Sequence, residues 1–367
     1  MVTRVAHLST AHGRNELRVH LKECNSLAKA GYEVHYIVAD GLGSKLCENI
    51  FIHDIGKARN RLIRMLISPW IMLMAARRIN AKIYHFHDPE LLLIGLFLLV
   101  GGAKVIYDSH EDTPRALLNR EWIPGWIKYL FSTIFEKFEN FVSHRLSAVV
   151  TATPFIEERF ARINSITQLI QNYPLPNEIE SCVYPKISRR NFCYLGGVSK
   201  PRGILEMVKA FENVDAKLII AGKFENEITK KTACHIPGWR KVDYRGLVTR
   251  TVAWEIMLMS IAGVVLYHPE ENHVKAQPNK LYEYMTASLP IIASNFPLWR
   301  EIVEGNLCGI CVDPLNPKAI GDAMQYLVDN PQEAEQMGKN GRKAVEQKYN
   351  WSIEEKKLLK LYKDLLQ

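Results

Sequence analysis

The chain repeats one rhythm: a short apolar run, a polar loop, then a stretch whose apolar residues recur every three to four positions. In the first half the runs fall at Arg4 to Ser9, Val34 to Ala39, Ile50 to Ile55, Lys82 to Phe86, Lys104 to Tyr107 and Ser147 to Thr151, each read as a strand. Helix-length segments lie between most of them, at about Glu16 to Ala30, Asn60 to Ile79, Glu90 to Leu99 and Trp122 to Arg145. In the first of these, Leu17, Leu21, Leu27 and Ala28 fall near one face, and Gly31 ends the helix. The alternation breaks over Tyr173 to Arg190, which carries three prolines and little periodicity. It resumes with strands at Asn191 to Leu195, Lys217 to Ala221, Gly263 to Tyr267, Pro290 to Ser294 and Gly309 to Val312, and with a helix over Asn279 to Ala287. Three helical segments close the chain, the last from Ser352 to Leu366, where Ser352 and Glu355 have capping-box spacing.

Strands alternating with helices imply parallel βαβ units. The expected architecture is α/β: two Rossmann-like domains with a cleft between them. The expected boundaries are 1–175 for the first domain, 176–190 for a linker, and 191–350 for the second. The closing helix, 351–367, is expected to pack back toward the first domain.

The length of 367 residues suits two domains, and 47% hydrophobic with 23% charged residues excludes a disordered or collagen-like chain. A net charge of +8 is too dilute for a dedicated nucleic-acid binder, so no nucleic-acid partner is expected. Seven cysteines, odd in number and thinly spread, argue against a disulfide framework. The opening MVTRVAHLST is strand-like rather than a signal peptide. The longest apolar stretch, Leu91 to Val100, has about half of the ~20 residues a spanning helix needs. A cytoplasmic protein, at most peripheral to the inner face of the cell membrane, is expected.

Several chemistries are missing. Neither half carries G-x-G-x-x-G after its first strand, and no P-loop or G-x-S-x-G elbow occurs. No Asp-x-Asp pair is present, so no metal site for a diphosphate is expected. Cys308 and Cys311 form a lone C-x-x-C in an apolar stretch, which reads as buried thiols rather than zinc ligands.

Three stretches carry positive information: PNKLYEYMTASLPIIASN at Pro278 to Asn295, YLGGVSKPRGILEMVKAF at Tyr194 to Phe211, and the pair HDPELL at His87 to Leu92 with VIYDSHED at Val105 to Asp112. Together, and in their order along the chain, they resemble the family-four (group 1) retaining glycosyltransferases of the GT-B fold. The residues support that resemblance physically. A Gly-Gly turn followed by a helix offers backbone N–H groups to an anion, and Arg202 just beyond it can hold a phosphate in two hydrogen bonds.

The resemblance implies a donor site built from Gly196, Gly197, Arg202, Asn279, Lys280, Leu281 and Glu283, with Gly13 letting backbone approach the donor phosphates. Glu283 is placed on the donor ribose and Arg202 on the diphosphate. The family commonly has an arginine where this chain has Gly197, and Lys280 is the candidate to supply the missing cation. Lys275 stands where the family's first glutamate falls. Glu270, Glu271 or the backbone of Lys275 to Asn279 would then meet the sugar. In the first half His110 is implied at the reacting centre, oriented by Asp108 or Glu111, with His87 and Asp88 either supporting it or capping the next helix. His110, Arg202 and Lys280 are the implied catalytic set.

The implied reaction moves a sugar from a nucleoside diphosphate sugar, UDP ahead of GDP, to a hydroxyl of a glycan or lipid-linked acceptor, with retention and with no cofactor or metal. Cell-surface polysaccharide assembly is the expected setting. A sugar-nucleotide epimerase and a non-catalytic scaffold on the same fold are the rival readings. Between Lys57 and Lys82, seven basic and no acidic residues are interleaved with Leu62, Leu66, Trp70 and other apolar side chains. That pattern suits either a sheet-covering helix or one lying on an anionic membrane surface.

Overall fold

The computed structural model describes residues 2–118, 124–175, 178 and 191–367. The linker read at 176–190 therefore lies outside the described residues except for Glu178. The chain divides into two compact units, Met1–Asn172 with Trp351–Gln367, and Tyr173–Asn350.

Unit 1 is built on strands β1 (Arg4–Leu8), β2 (Glu33–Val38), β3 (Lys45–Cys47), β4 (Ile50–Asp54), β5 (Ile83–Phe86), β6 (Lys104–Ser109), β7 (Ala148–Thr151) and β8 (Thr167–Leu169). Their order is β3-β4-β2-β1-β5-β6-β7-β8, parallel throughout except where β3 runs antiparallel on β4. The edge strands β3 and β8 are three residues each, too short to leave a periodic trace in the sequence.

The two faces of this sheet differ. Ala6, Leu8, Tyr84, Phe86, Val105 and Tyr107 face a hydrocarbon core shared with Met72, Leu73 and Ala76 of helix Ser68–Ile79 and Leu92, Ile94 and Leu98 of helix Leu92–Val100. The alternate positions His7, His85 and Asp108 point the other way and are fully buried. His7 and His85 are direct neighbours in the β1–β5 register.

That polar face explains a correction to the first helix. Its buried residues include Arg18, Lys22 and Glu23, whereas Leu21 is 39% exposed. The segment Leu17–Cys24 is wound as a π-helix before continuing as Asn25–Lys29, so its residues do not follow the 3.6-residue period that placed the leucines inward. Arg18 faces Asp108 of the sheet, Lys22 Nζ donates to Asn172 at 2.6 Å, and Glu23 approaches the histidines of the sheet face. The closing helix, Trp351–Leu366, belongs to the same unit: Trp351 Nε1 donates to Ser26 Oγ at 2.9 Å, and Glu354 accepts from Gln171 N at 2.9 Å. It begins at Trp351, so Ser352 sits inside the first turn and is not the cap its spacing with Glu355 suggested.

Unit 2 has six parallel strands, β9 (Asn191–Leu195), β10 (Lys217–Ala221), β11 (Val242–Gly246), β12 (Ser260–Val265), β13 (Ile291–Ser294) and β14 (Gly309–Val312), ordered β11-β10-β9-β12-β13-β14. Cys193 and Leu195 face one apolar core and Phe192 and Tyr194 the other, as expected of a sheet covered on both sides. The strand order reverses between β9 and β12. At such a switch point the carboxyl ends of the strands leave a crevice for ligands. Two parallel-sheet α/β units are the architecture the sequence rhythm predicts.

Candidate functional site

β9 runs directly into Gly196 and Gly197 at this switch point. Gly196 has φ +125°, and a Cβ there would lie 2.4 Å from Lys280 Cε. The φ value favours glycine here, and the end of the Lys280 side chain lies across the turn. A Cβ at residue 197 would lie 2.8 Å from Arg202 Nη1, and that guanidinium donates to Gly197 O at 3.3 Å while resting 5.5 Å from the Tyr267 ring centroid. The two cations singled out in the sequence thus cover the two halves of one Gly-Gly turn. Gly203, at φ +67°, turns the chain from Lys200–Arg202 into the helix Ile204–Ala210.

A cavity of about 420 Å³ opens beside the turn, lined by Gly196, Gly197, Lys280 and Glu283 among others. Burial lowers the pKa of Lys280, partly offset by the charge of Glu283. Neither side chain has a hydrogen bond or close ion pair among the described residues. Two half-buried ions therefore face the same space without a protein partner. The remaining candidates in this unit fall elsewhere. Arg202 and Asn279 do not line the cavity, and Asn279 is exposed at the helix start. Leu281 is fully buried in the core and its N–H is spent on Pro278 O, so it has no group to offer a ligand. Lys275 pairs with Glu271 at 2.9 Å, and Glu270 lies 3.8 Å from His273, so neither glutamate reaches the cavity lining.

Sequence reading missed part of this wall. Lys223, Thr249, Arg250 and Trp254 also line the cavity, together with Leu247, Val248 and Met257. They follow β10 and β11, and the latter is a half-exposed strand without an apolar run. Thr249, which caps the helix Arg250–Leu258 by accepting from Val252 N, was the available signal. Arg250 is already paired with Glu178.

Unit 1 carries a second polar cluster. Asp108, at the end of β6, accepts from Arg18 Nε at 3.0 Å and Nη2 at 2.9 Å, and its Oδ2 lies 3.2 Å from His87 Nδ1 and 2.9 Å from His110 Nε2. Burial would raise its carboxyl pKa, but Arg18 and the two histidines hold it well below the usual carboxylate range. Asp108 is therefore the residue that orients His110; Glu111 is exposed and makes no such contact. Asp88 does not cap the following helix. Its Oδ2 accepts from Ser9 Oγ, Thr10 N and Ala11 N, tying the loop after β1 to the end of β5. Gly13 is exposed in that loop, where a Cβ would meet nothing closer than Asp40 at 4.0 Å.

Behind His110 lie groups the sequence did not single out: His7, His85, Glu23 and Tyr362. His7 Nδ1 is 2.9 Å from His87 Nε2, and the Tyr362 hydroxyl bridges His7 Nε2 at 3.0 Å and His85 Nδ1 at 2.9 Å. Burial pushes the imidazole pKa values down, that of His87 to about 4, so these rings are neutral near pH 7. Burial and the nearby Asp108 raise Glu23 well above the usual carboxylate range. Cys308 and Cys311 are free thiols, and neither joins a metal-type cluster among the described residues.

Comparison with known proteins follows the division into two units. Residues 186–344 match the family described as glycosyl transferases group 1, and residues 18–172 match glycosyltransferase family 4. The chain is 24% identical over 365 residues to the capsular polysaccharide biosynthesis glycosyltransferase CapM of Staphylococcus aureus, covering 93% of this chain and 92% of that one. Among solved structures it is similar to a sucrose-phosphate synthase from Thermosynechococcus elongatus (TM-score 0.76, 16% identity, 99% of both chains). It is also similar to Anabaena HepE in complex with UDP (TM-score 0.72, 11% identity, 99% of this chain and all of that one). The chain belongs to the group 1 glycosyltransferases and has their GT-B fold.

Proposed function

We propose that this glycosyltransferase takes a nucleoside diphosphate sugar, with UDP as the carrier, and transfers the sugar with retention to a glycan or lipid-linked acceptor of cell-surface polysaccharide synthesis. The observation that carries the donor assignment is the pair Lys280 and Glu283, half-buried on one cavity wall with no side-chain partner among the described residues. A diphosphate and a ribose hydroxyl are what a cation and a carboxylate at that spacing would bind. The apolar part of the wall, Leu247, Val248, Trp254 and Met257, suits a base. The solved HepE complex containing UDP supports the choice of carrier.

Retention through a covalent intermediate needs two carboxylates about 5–5.5 Å apart. Glu283 is the one carboxylate among the described residues lining the cavity. This supports same-face attack, in which the leaving diphosphate accepts the acceptor's proton. The work of the protein is then positioning and charge stabilisation, with Arg202 and Lys280 on the departing phosphate. His110, held by Asp108, contributes a hydrogen bond to the sugar or the acceptor hydroxyl. No divalent metal is needed at the diphosphate. Calorimetry with UDP, GDP and ADP tests the donor reading: UDP should bind tightest, and indifference to all three overturns it. Incubation with UDP-sugars with and without a lipid-linked acceptor tests the reaction. Sugar transfer only in the presence of acceptor supports it, and conversion of the donor without acceptor points to an epimerase. Stimulation of transfer by added Mn²⁺ or Mg²⁺ would overturn metal independence.

The acceptor reading rests on the surface of unit 1. No helix among the described residues is long and apolar enough to cross a membrane. Helix Arg61–Leu66 has no buried residue, and Leu62, Leu66, Ile67, Trp70 and Met74 are exposed beside the exposed Arg77 and Arg78. Trp70 packs on Phe97, and helix Gly125–Ser143 adds Trp126, Tyr129, Leu130, Ile134 and Phe141, all exposed. A basic, aromatic-rich apolar surface of this kind suits docking on an anionic cytoplasmic leaflet, where lipid-linked acceptors would be met. The protein should cosediment with phosphatidylglycerol-rich vesicles at low salt and release at high salt. Equal indifference to anionic and neutral vesicles would refute docking.

A further inference from the structure

The polar face of the unit 1 sheet holds more than the positioning of His110 requires. His7, Glu23, His85 and His87 each present a ligand-type atom, and these four atoms lie within 4.8 Å of one another. Glu23 Oε2 is 3.7 Å from His7 Nδ1, 3.9 Å from His85 Nδ1 and 3.9 Å from His87 Nε2. All four residues are buried, His87 at 3% exposure and the others at none. Among the described residues neither carboxylate oxygen of Glu23 has a hydrogen-bond partner. Arg18 Nε comes within 3.2 Å of Glu23, but its hydrogen is directed to Asp108. A carboxylate buried in this way, with three imidazoles converging on it, is costly unless something bonds to it.

We propose that His7 Nδ1, His85 Nδ1, His87 Nε2 and one oxygen of Glu23 form a four-coordinate site for a first-row divalent metal ion, zinc by preference. Three nitrogens and one oxygen are a donor set that zinc takes tetrahedrally, and bonds of about 2.0–2.1 Å put tetrahedral ligand atoms about 3.4 Å apart. The His7–His87 separation of 2.9 Å and the three distances of 3.7–3.9 Å to Glu23 lie on either side of that edge, and all four atoms lie within 4.8 Å of one another, so side-chain adjustment alone would close the site. The outer partners are in place. Asp108 accepts from Nδ1 of His87, the carboxylate–histidine arrangement that orients metal ligands, and Tyr362 meets Nε2 of His7. On binding, the Tyr362 hydroxyl is left to His7 alone, and any proton on Glu23 is released. The neighbouring trio His87, Asp108 and His110 is a poorer site, because Asp108 is already committed to Arg18. With four protein ligands and no solvent access, the ion would have a structural role, joining β1, the end of β5 and the helix Leu17–Cys24. It is separate from the donor diphosphate, whose cations lie in unit 2.

The experiment uses the full chain without a polyhistidine tag, expressed with added zinc and purified without nickel resin. Metal is counted by mass spectrometry after desalting. About one zinc per chain is expected. Stripping with dipicolinate should lower the thermal midpoint by several degrees, and stoichiometric zinc should restore it. Cobalt added to stripped protein should give the visible absorption of tetrahedral Co²⁺. Glu23→Gln, an isosteric change, and His85→Phe should each lose most of the bound metal. The proposal is overturned if wild-type protein neither carries nor takes up a stoichiometric ion, which would make the cluster a hydrogen-bonded network only. Retention of full metal content by both variants would equally overturn the ligand assignment.

Discussion

In unit 1 Arg18 spends its guanidinium on both oxygens of Asp108 and on Ile170 O, with the side chains of the pair no more than 3% exposed. In unit 2 Lys280 and Glu283 are half-buried, face a cavity, and have no hydrogen bond or close ion pair among the described residues. A cation and a carboxylate thus do two different jobs. A buried, bidentate ion pair fixes the backbone that carries it. Its removal leaves an uncompensated charge. An unpaired ion at a cavity wall contributes little to the fold and is available to a ligand. The difference teaches how to separate structural charge from functional charge in this chain: by whether the partner is already present.

The first way to break that comparison has the largest expected effect. Arg18→Ala should destabilise the protein by about 3–5 kcal/mol, because Asp108 would be left buried and unpaired. The thermal midpoint should fall sharply before any question of activity arises. A midpoint within a degree of wild type would mean that the pair is not structural. Lys280→Ala and Arg202→Ala should do the opposite, leaving the midpoint nearly unchanged while slowing transfer about ten- to hundredfold, the worth of roughly 1.5–3 kcal/mol of charge-assisted bonding. Wild-type turnover in both would place the diphosphate elsewhere.

These two clusters were not equally legible in the sequence. The turn at Gly196 and Gly197, Arg202, Lys280 and Glu283 fall in two short contiguous stretches, so one strand-loop-helix pattern and its successor expose them together. What failed there was local. Leu281 enters the donor set only through the resemblance of its motif, and helical phase turns its side chain into the core. Trp254 and its neighbours were invisible because β11 buries too little to show a run. In unit 1 the histidine cluster draws on residues 7, 23, 85, 87 and 362, brought together by the β1–β5 register and by a helix from the other end of the chain. Nothing local joins them. The first helix added a second obstacle, since its π winding and polar sheet face put the charges inside and Leu21 outside, against the usual amphipathic rule.

Smaller effects sharpen the contrast within each site. Glu283→Ala should weaken UDP binding by about 1.5–3 kcal/mol, the value of a hydrogen bond to a charged group, with turnover at saturating donor less affected. His110→Ala should show the reverse, with turnover depressed and UDP affinity little changed, because Asp108 and Arg18 persist without it. Calorimetry and saturation kinetics on the two variants separate these patterns. Interchanged results would overturn the assignment of nucleotide binding to unit 2.

The smallest effect on the fold belongs to Gly13, and it asks whether unit 1 contains a residue that behaves like those of the unit 2 cavity. The glycine is exposed, its φ is not in the left-handed region, and an added Cβ would touch only Asp40 at 4.0 Å. Nothing in the fold therefore demands glycine, and Gly13→Ala should leave stability within about 0.5 kcal/mol of wild type. The loop itself is already anchored, through Asp88 on one side and through the Arg14–Asp40 ion pair at 2.6 Å on the other, so the substitution has little backbone freedom to exploit. If glycine is there so that backbone can approach the donor phosphates, a methyl group at that point should cut transfer severalfold while the thermal midpoint stays put. Unchanged transfer would assign Gly13 to the loop alone and leave His110 as the residue of unit 1 with a part in the reaction.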